Sequence, residues 1–366
     1  GQGRGAESAV PLNGGLLLAA ALAIPSSVVL VLLAPTLFPL LEDDPAVVAE
    51  GTIYLQMRLV AMLAVGMNFA FRGYWNAVDR SKLYLRTLLV MHVTNIALNY
   101  VLIFGKLGMP ALGVMGAGIG TAASTFVGTA YYFVLGTRHA RDAGFLSGLP
   151  DRTTLGQMLR LSVPAGLQQF FFAAGMTVFF TLVGMVGTQE LAAANVLVNL
   201  MLVAILPGLG FGIAAASLVG QALGRGDHAD ARQWGWDVTK IAALTMGVLA
   251  LPALVVPDLL LAPFIHNADT LALAEGPLRL VAATLAFEAV GMVLLNALLG
   301  AGDSRIVMVV SIGIQWFVQL PLVWFVGPWA GGGLIAIFAV YMGARVGLAG
   351  VFATIWARGA WGRVEV

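Results

Sequence analysis

The chain has 366 residues, 60% hydrophobic and only 10% charged, with 45 glycines, four histidines, no cysteine and a formal net charge of +1. A soluble domain carries about 25% charged residues, so this composition describes a polytopic membrane protein. Disulfides and thiolate metal sites are excluded, a histidine-rich metal site is not expected, and the balanced charge gives no reason to expect a nucleic-acid partner.

A helix crossing the hydrocarbon core needs roughly 20 apolar residues. Ten such segments follow one another, near 15–41, 52–76, 84–105, 113–136, 158–186, 190–222, 236–262, 275–300, 306–327 and 332–356. Their apolar runs are continuous rather than alternating, which predicts helices and not a β-barrel. The fold class is therefore all-α and multi-pass. Placing residues 1–14 inside puts Arg4, Arg80, Lys82, Arg86, Arg138, Arg141, Arg152, Arg160, Arg225, Arg232, Lys240, Arg305, Arg358 and Arg363 on the cytoplasmic side, fourteen of the 19 basic residues. The outside loops then hold only Lys106 and two acidic stretches, 41–51 and 266–276, as the positive-inside rule requires. Both ends of the chain are expected in the cytoplasm.

The chain repeats itself. Gly1-Gln2 matches Gly220-Gln221, "AEG" at 49–51 matches 274–276, and "RLVA" at 58–61 matches 279–282. Asp79 matches Asp303, and Asn95 and Asn99 match Gln315 and Gln319. These offsets predict two related halves of parallel topology, divided near 150/151, the first with four helices and the second with six. By analogy with the second half, about 60–65 residues and two helices are expected before Gly1, for twelve helices in all. In "LVGQALGRGDHADARQ" (218–233), Gly224 and Gly226 permit a tight turn, Asp227 is a good N-cap and Asp230 favours a helix start. The stretch 228–240, with Trp234 and Trp236, reads as a short interfacial helix.

Together with that loop, "LNYVLIFGKLGMPALGVMGAGIGT" (98–121), "SVPAGLQQ" (162–169), "GTQELAAANVL" (187–197) and "NALLGAGDSR" (296–305) resemble the multidrug and toxic compound extrusion (MATE) family. Each motif alone is weak, but their order and spacing cover the whole chain. The resemblance implies two six-helix lobes around a central cavity, and secondary antiport in which an organic cation leaves as protons or sodium enter. It further implies that an acid at the place of Glu288 takes part in cation coupling.

The residues give an independent reading of where transport chemistry could lie. Glu288 is the one acid at the centre of a span, and Arg345 the one base at similar depth. An intramembrane ionisable residue is a functional hypothesis by default. Burial disfavours the ionised carboxyl, which would let Glu288 load and release a proton; a permanent Glu288–Arg345 ion pair is the structural alternative. Arg58, Arg72 and Arg279 lie near span ends and read as snorkelling anchors.

Asn95/Asn99, Asn195/Asn199 and Gln315/Gln319 are polar pairs at i, i+4, each on one helix face. Such faces must line a cavity or another helix. His92 lies one turn before Asn95. Gln168 and Gln169 follow Pro164, which should kink or locally break its helix. Phe170–Phe172, Met176, Phe179 and Phe180 would suit flat lipophilic cations or serve ordinary packing. Gly116 and Gly120 form a GxxxG contact, and "GLGFG" (208–212) is no dinucleotide fingerprint because no strand precedes it.

The leading expectation is a cation-coupled efflux antiporter for organic cations or other xenobiotics. It would lie in the bacterial cytoplasmic membrane as a monomer and need no cofactor beyond H+ or Na+. A flippase for lipid-linked precursors is the alternative, against which stands the single deep basic residue. A prenyl-group enzyme would need clustered carboxylates for Mg²⁺ on an accessible loop; the one acidic cluster, Glu42-Asp43-Asp44, is a short exterior turn, so an enzyme is not expected.

Overall fold

The computed structural model describes residues 7–40, 44–359 and 361; the opening "GQGRG" motif and Glu42-Asp43 lie outside them. Among the described residues all regular structure is helical. The chain divides into two compact units, one ending at Met158 and the other beginning at Leu159.

The N-terminal unit holds α1 (Val10–Leu37), α2 (Pro45–Val60), α3 (Met62–Ala77), α4 (Ser81–Phe104), α5 (Gly113–His139) and the first turns of α6 (Arg152–Gly184). The segment read as one span near 52–76 is a bent pair: α2 and α3 meet at 42°. Ser27 Oγ on α1 donates to the Leu59 carbonyl beside the bend at 2.8 Å, giving that group a partner outside its own helix. Packing here is aromatic, with Phe71 and Tyr132 stacked at 5.0 Å and Phe145 and Trp75 fully enclosed. A single amide fastens the loop after α5. Asn13 Nδ2 donates to the carbonyls of Gly144 (2.9 Å) and Gly148 (2.7 Å), and its Oδ1 accepts from Leu146 N–H (3.0 Å). Gly105, at φ 63°, ends α4 in the left-handed conformation that a residue without Cβ adopts most readily.

The C-terminal unit continues α6 and adds α7 (Thr188–Gly224), α8 (His228–Val255), the short α9 (Pro257–Leu261), α10 (Ala268–Gly300), α11 (Ser304–Ile314), α12 (Leu320–Trp324) and α13 (Gly333–Arg358). α10 is its axis, packed against α7, α8 and α13. In lipid, helices gain little by hiding apolar surface from one another, so small residues that let backbones approach decide the packing. A Cβ on Gly300 would collide with the Ala216 backbone of α7, and one on Gly212 would strike the Asn296 side chain. π-helical turns over Gln315–Gln319 and Phe325–Trp329 flank α12. Pro321 and Pro328 have no N–H to give, so the α-pattern of bonds is interrupted there and the turn widens.

Among the described residues, eight helices are long and apolar enough to cross a membrane, and the bent α2–α3 pair, counted as one span, makes a ninth. The tenth expected segment is α5, a 27-residue helix diluted by Gly, Ala, Ser and Thr. Three local expectations change. α6 continues through Pro164, so the local break expected there does not occur. Residues 228–240 are the first turns of α8 rather than a separate interfacial helix. Asp79 and Asp303 match in sequence but not in role: Asp303 stands at the N-cap of α11, whereas α4 begins after Arg80 and Asp79 itself takes φ 58°. The turn before α8 is as read, with Gly226 at φ 78° and Asp227 accepting from Asp230 N–H at 2.9 Å.

Candidate functional site

Glu288 occupies the middle of α10 and is 4% exposed. Leu285, one turn before it, and Ala289, the next residue, belong to one apolar cluster of the unit, and Val281 to a second that includes Tyr341 and Met342 of α13. At this junction Arg345 reaches across from α13 and holds both carboxylate oxygens: Nε donates to Oε2 at 2.8 Å, and Nη2 donates to Oε1. The fork of a guanidinium matches a carboxylate in this two-point manner. The two deep charges of the sequence are therefore partners.

Beyond the guanidinium lies a cavity of about 30 Å3, lined by Gln168 of α6, Ser311, Gln315 and Gln319 of the α11 segment, and Tyr341 and Arg345 of α13, with Leu295 of α10 on its apolar side. Roughly 10–15 Å3 suffices for one water. Gln315 is anchored by Nε2 donating to the Phe172 carbonyl (3.2 Å), and Trp316 Nε1 donates to the Phe171 carbonyl (3.1 Å), so α6 and the widened helix are pinned together. Gly175 makes room, since a Cβ there would overlap the Gln315 amide. Gln319 is 4% exposed and Ser311 9%. Ser311 Oγ is buried and has no hydrogen-bond partner among the described residues.

The other predicted polar residues separate into distinct environments. Asn95 and Asn99 join α4 to α5: Asn95 Nδ2 donates to Ser124 Oγ (3.3 Å) and Thr121 Oγ1 (3.4 Å), and Asn99 Nδ2 donates to Asn95 Oδ1 (3.2 Å). The GxxxG glycines permit this, with Gly120 against Asn99 and Gly116 against the Leu102 backbone. Asn195 and Asn199 are exposed within their unit and donate to carbonyls of their own helix, Leu191 O (2.9 Å) and Asn195 O (2.8 Å). Gln169 and His92 are also exposed. Of the aromatic run, Phe170 is exposed, whereas Phe179 is enclosed against Phe338 and Tyr341. Arg58 and Arg279 are exposed, and Arg72 lies 4.6 Å over the Phe69 ring.

Ser311 and Tyr341 were not singled out by the sequence reading, though a signal existed. Ser311, Gln315 and Gln319 form a ladder at successive i+4 steps, and Tyr341 precedes Arg345 by the same step. A lone Ser and a lone Tyr carry no charge to mark them among apolar neighbours.

The sequence matches the MatE family over residues 1–101 and 164–325. Among similar proteins is a probable multidrug resistance protein NorM of Pseudomonas putida, 30% identical over 345 residues, covering 92% of this chain and 74% of the relative. A protein of the same description from Thermotoga maritima is 26% identical over 312 residues; the match covers 82% of this chain and 66% of the relative, slightly under two thirds of its length. In fold, the chain resembles an outward-facing multidrug resistance MATE family transporter of the MOP superfamily, with a TM-score of 0.87, 18% identity, and coverage of 100% of this chain and 84% of that one. It also resembles a MOP superfamily transporter from Pyrococcus furiosus, with a TM-score of 0.86, 17% identity and the same coverage. A multi-pass helical chain with a repeated plan, matching one family's pattern in both of its halves, admits one assignment: the chain belongs to the MatE family.

Proposed function

We propose that the chain serves secondary active efflux of small organic compounds across a bacterial cytoplasmic membrane, driven by protons and coupled through Glu288. The multidrug resistance relatives support the substrate class. The observation that carries the coupling role is the carboxylate of Glu288, buried between two apolar clusters, gripped at both oxygens by Arg345 and separated by that guanidinium from a polar cavity. A proton arriving at Glu288 removes the charge that holds Arg345. The bond between α10 and α13 then weakens, and the packing of those helices becomes sensitive to ion loading.

A proton suits these side chains better than sodium. Protonation needs no ligand beyond the carboxylate, whereas a sodium ion at Glu288 would have to displace a guanidinium and sit beside it. Among the described residues, no group of three or more His, Cys, Asp or Glu side chains gathers to hold a metal ion.

The test uses reconstituted vesicles and a fluorescent organic cation. Wild-type protein is expected to drive efflux under an imposed pH gradient and to ignore an equal sodium gradient. Glu288→Gln is expected to lose the gradient-driven component. Sodium-driven efflux would refute the choice of ion, and undiminished proton-driven efflux by Glu288→Gln would refute the role of the residue.

A further inference from the structure

The cavity beside Arg345 has a lining that tells what it accepts. Its polar groups are three amides, one hydroxyl, one phenol and one guanidinium, with no carboxylate among them. Its one formal charge is the positive charge of Arg345. Arg345 gives Nε and Nη2 to Glu288, and no hydrogen bond from Nη1 to the described residues is formed. Ser311 Oγ, buried and without a partner, lines the same space. Buried hydroxyls are nearly always matched, so Ser311 leaves a donor and acceptor open to whatever occupies the cavity.

The guest's charge follows from the ion pair. While Glu288 is ionised, the guanidinium is neutralised and water meets the needs of the cavity. Once Glu288 is uncharged, Arg345 is an uncompensated cation inside a membrane protein, a condition that costs several kcal/mol unless a counter-charge arrives. Among the described residues of the helices around the pair, no other formal charge stands at that depth. α7 carries none after Glu190, α8 none after Lys240, α11 and α12 none after Arg305, and α6 none after Arg160. Tyr341, one turn before Arg345, is the other titratable group beside the pair, and its hydroxyl donates to Met176 Sδ at 3.7 Å.

We propose that this cavity is a binding site for a small monovalent anion such as chloride, held by Arg345, Ser311 and the amides of Gln168, Gln315 and Gln319, and filled when Glu288 loses its charge. Anion and proton then favour each other's binding by linkage. The site requires a neutral residue 288, which in the wild-type chain rests on the protonation of Glu288 proposed above; Glu288→Gln supplies the neutral residue without that step, so the two readings fail separately.

The test heats purified Glu288→Gln in sodium chloride, sodium bromide and sodium gluconate at equal ionic strength. Chloride and bromide are expected to raise its unfolding midpoint, to a plateau with concentration, above the value in gluconate, an anion too large for the cavity. The rise should vanish in Glu288→Gln/Arg345→Gln and shrink in Glu288→Gln/Ser311→Ala. A midpoint indifferent to the halide, or an equal rise in the variant without Arg345, would overturn the proposal and leave the cavity to water. Should Glu288→Gln not fold, radiolabelled chloride bound to wild-type protein gives the answer: binding is expected to increase as pH falls, and to be lost in Arg345→Gln. Binding that ignores either change would overturn the proposal as well.

Discussion

Glu288 and Arg345 are held together at a depth where each alone would be a liability. Removing one partner of a buried pair strands the other charge, at a cost of about 3–5 kcal/mol, whereas replacing both by apolar residues of similar size is often neutral or stabilising by about 1–4 kcal/mol. Arg345→Leu is therefore expected to lower the thermal midpoint sharply, and Glu288→Met/Arg345→Leu to restore or exceed the wild-type value. The same double variant should transport nothing under a pH gradient. A stable and fully active double variant would show that neither charge serves coupling. Asp303 supplies a second test, outside the spans. Burial pushes its carboxyl above the usual range, opposed by a hydrogen bond from Ile306 N–H. The folded state thus holds this proton more tightly than the unfolded state, and the residue's contribution to stability falls as pH rises from the unfolded value through the folded one. Asp303→Asn should flatten that part of the pH–stability curve and stabilise the protein at neutral pH. A curve of unchanged slope would contradict this.

Among the helices, closeness of approach separates glycines that the fold needs from those it only tolerates. Gly300 faces the Ala216 backbone of α7, which cannot yield, while Gly73 on α3 has nothing within 4 Å of the place its Cβ would occupy. Gly300→Ala should cost roughly 1–3 kcal/mol through forced separation of α7 and α10, and Gly73→Ala should gain about 0.5–1 kcal/mol from helix propensity. Unfolding midpoints of the two variants, moving in opposite directions, check the packing of both units. These contacts also mark the limit of what the sequence discloses. Hydrophobic runs locate the helices because length and apolarity are properties of each segment alone. The deep pair could be found because just two charges interrupt the central turns. The bend at Ala61, the π-turns over Gln315–Gln319 and Phe325–Trp329, and the loop clamp at Asn13 depend on which neighbour lies alongside, and a single segment carries no record of that. The sequence repeat misled on detail for the same reason. Gln315 follows Ser304 by eleven residues and Asn95 follows Ser81 by fourteen, so the two polar pairs sit roughly a turn apart in depth despite their matching spacing.

At the scale of the whole molecule, charge distribution sets the orientation. On the expected alternation of spans, fourteen of the 19 Lys and Arg residues would share the side of the 78–80, 140–151, 225–227 and 301–303 connections, and Lys106 alone would lie in a connection on the other. Reversing the chain would carry nearly all of that charge across the membrane, against the bias that governs insertion. The prediction is that Lys106 is extracytoplasmic and Arg225 cytoplasmic. The chain has no cysteine, so a single introduced thiol is its own reporter. In intact cells, an impermeant maleimide should label Lys106→Cys and leave Arg225→Cys unlabelled until the membrane is opened. The reverse pattern would invert the orientation, and with it the face from which a proton reaches Glu288. Labelling of both positions in intact cells would break the alternation of spans on which the ten-segment reading depends. α5 is the first place to look in that case, because only the spans between the two positions, α5, α6 and α7, fix their relative sides, and α5 is the one diluted by Gly, Ala, Ser and Thr.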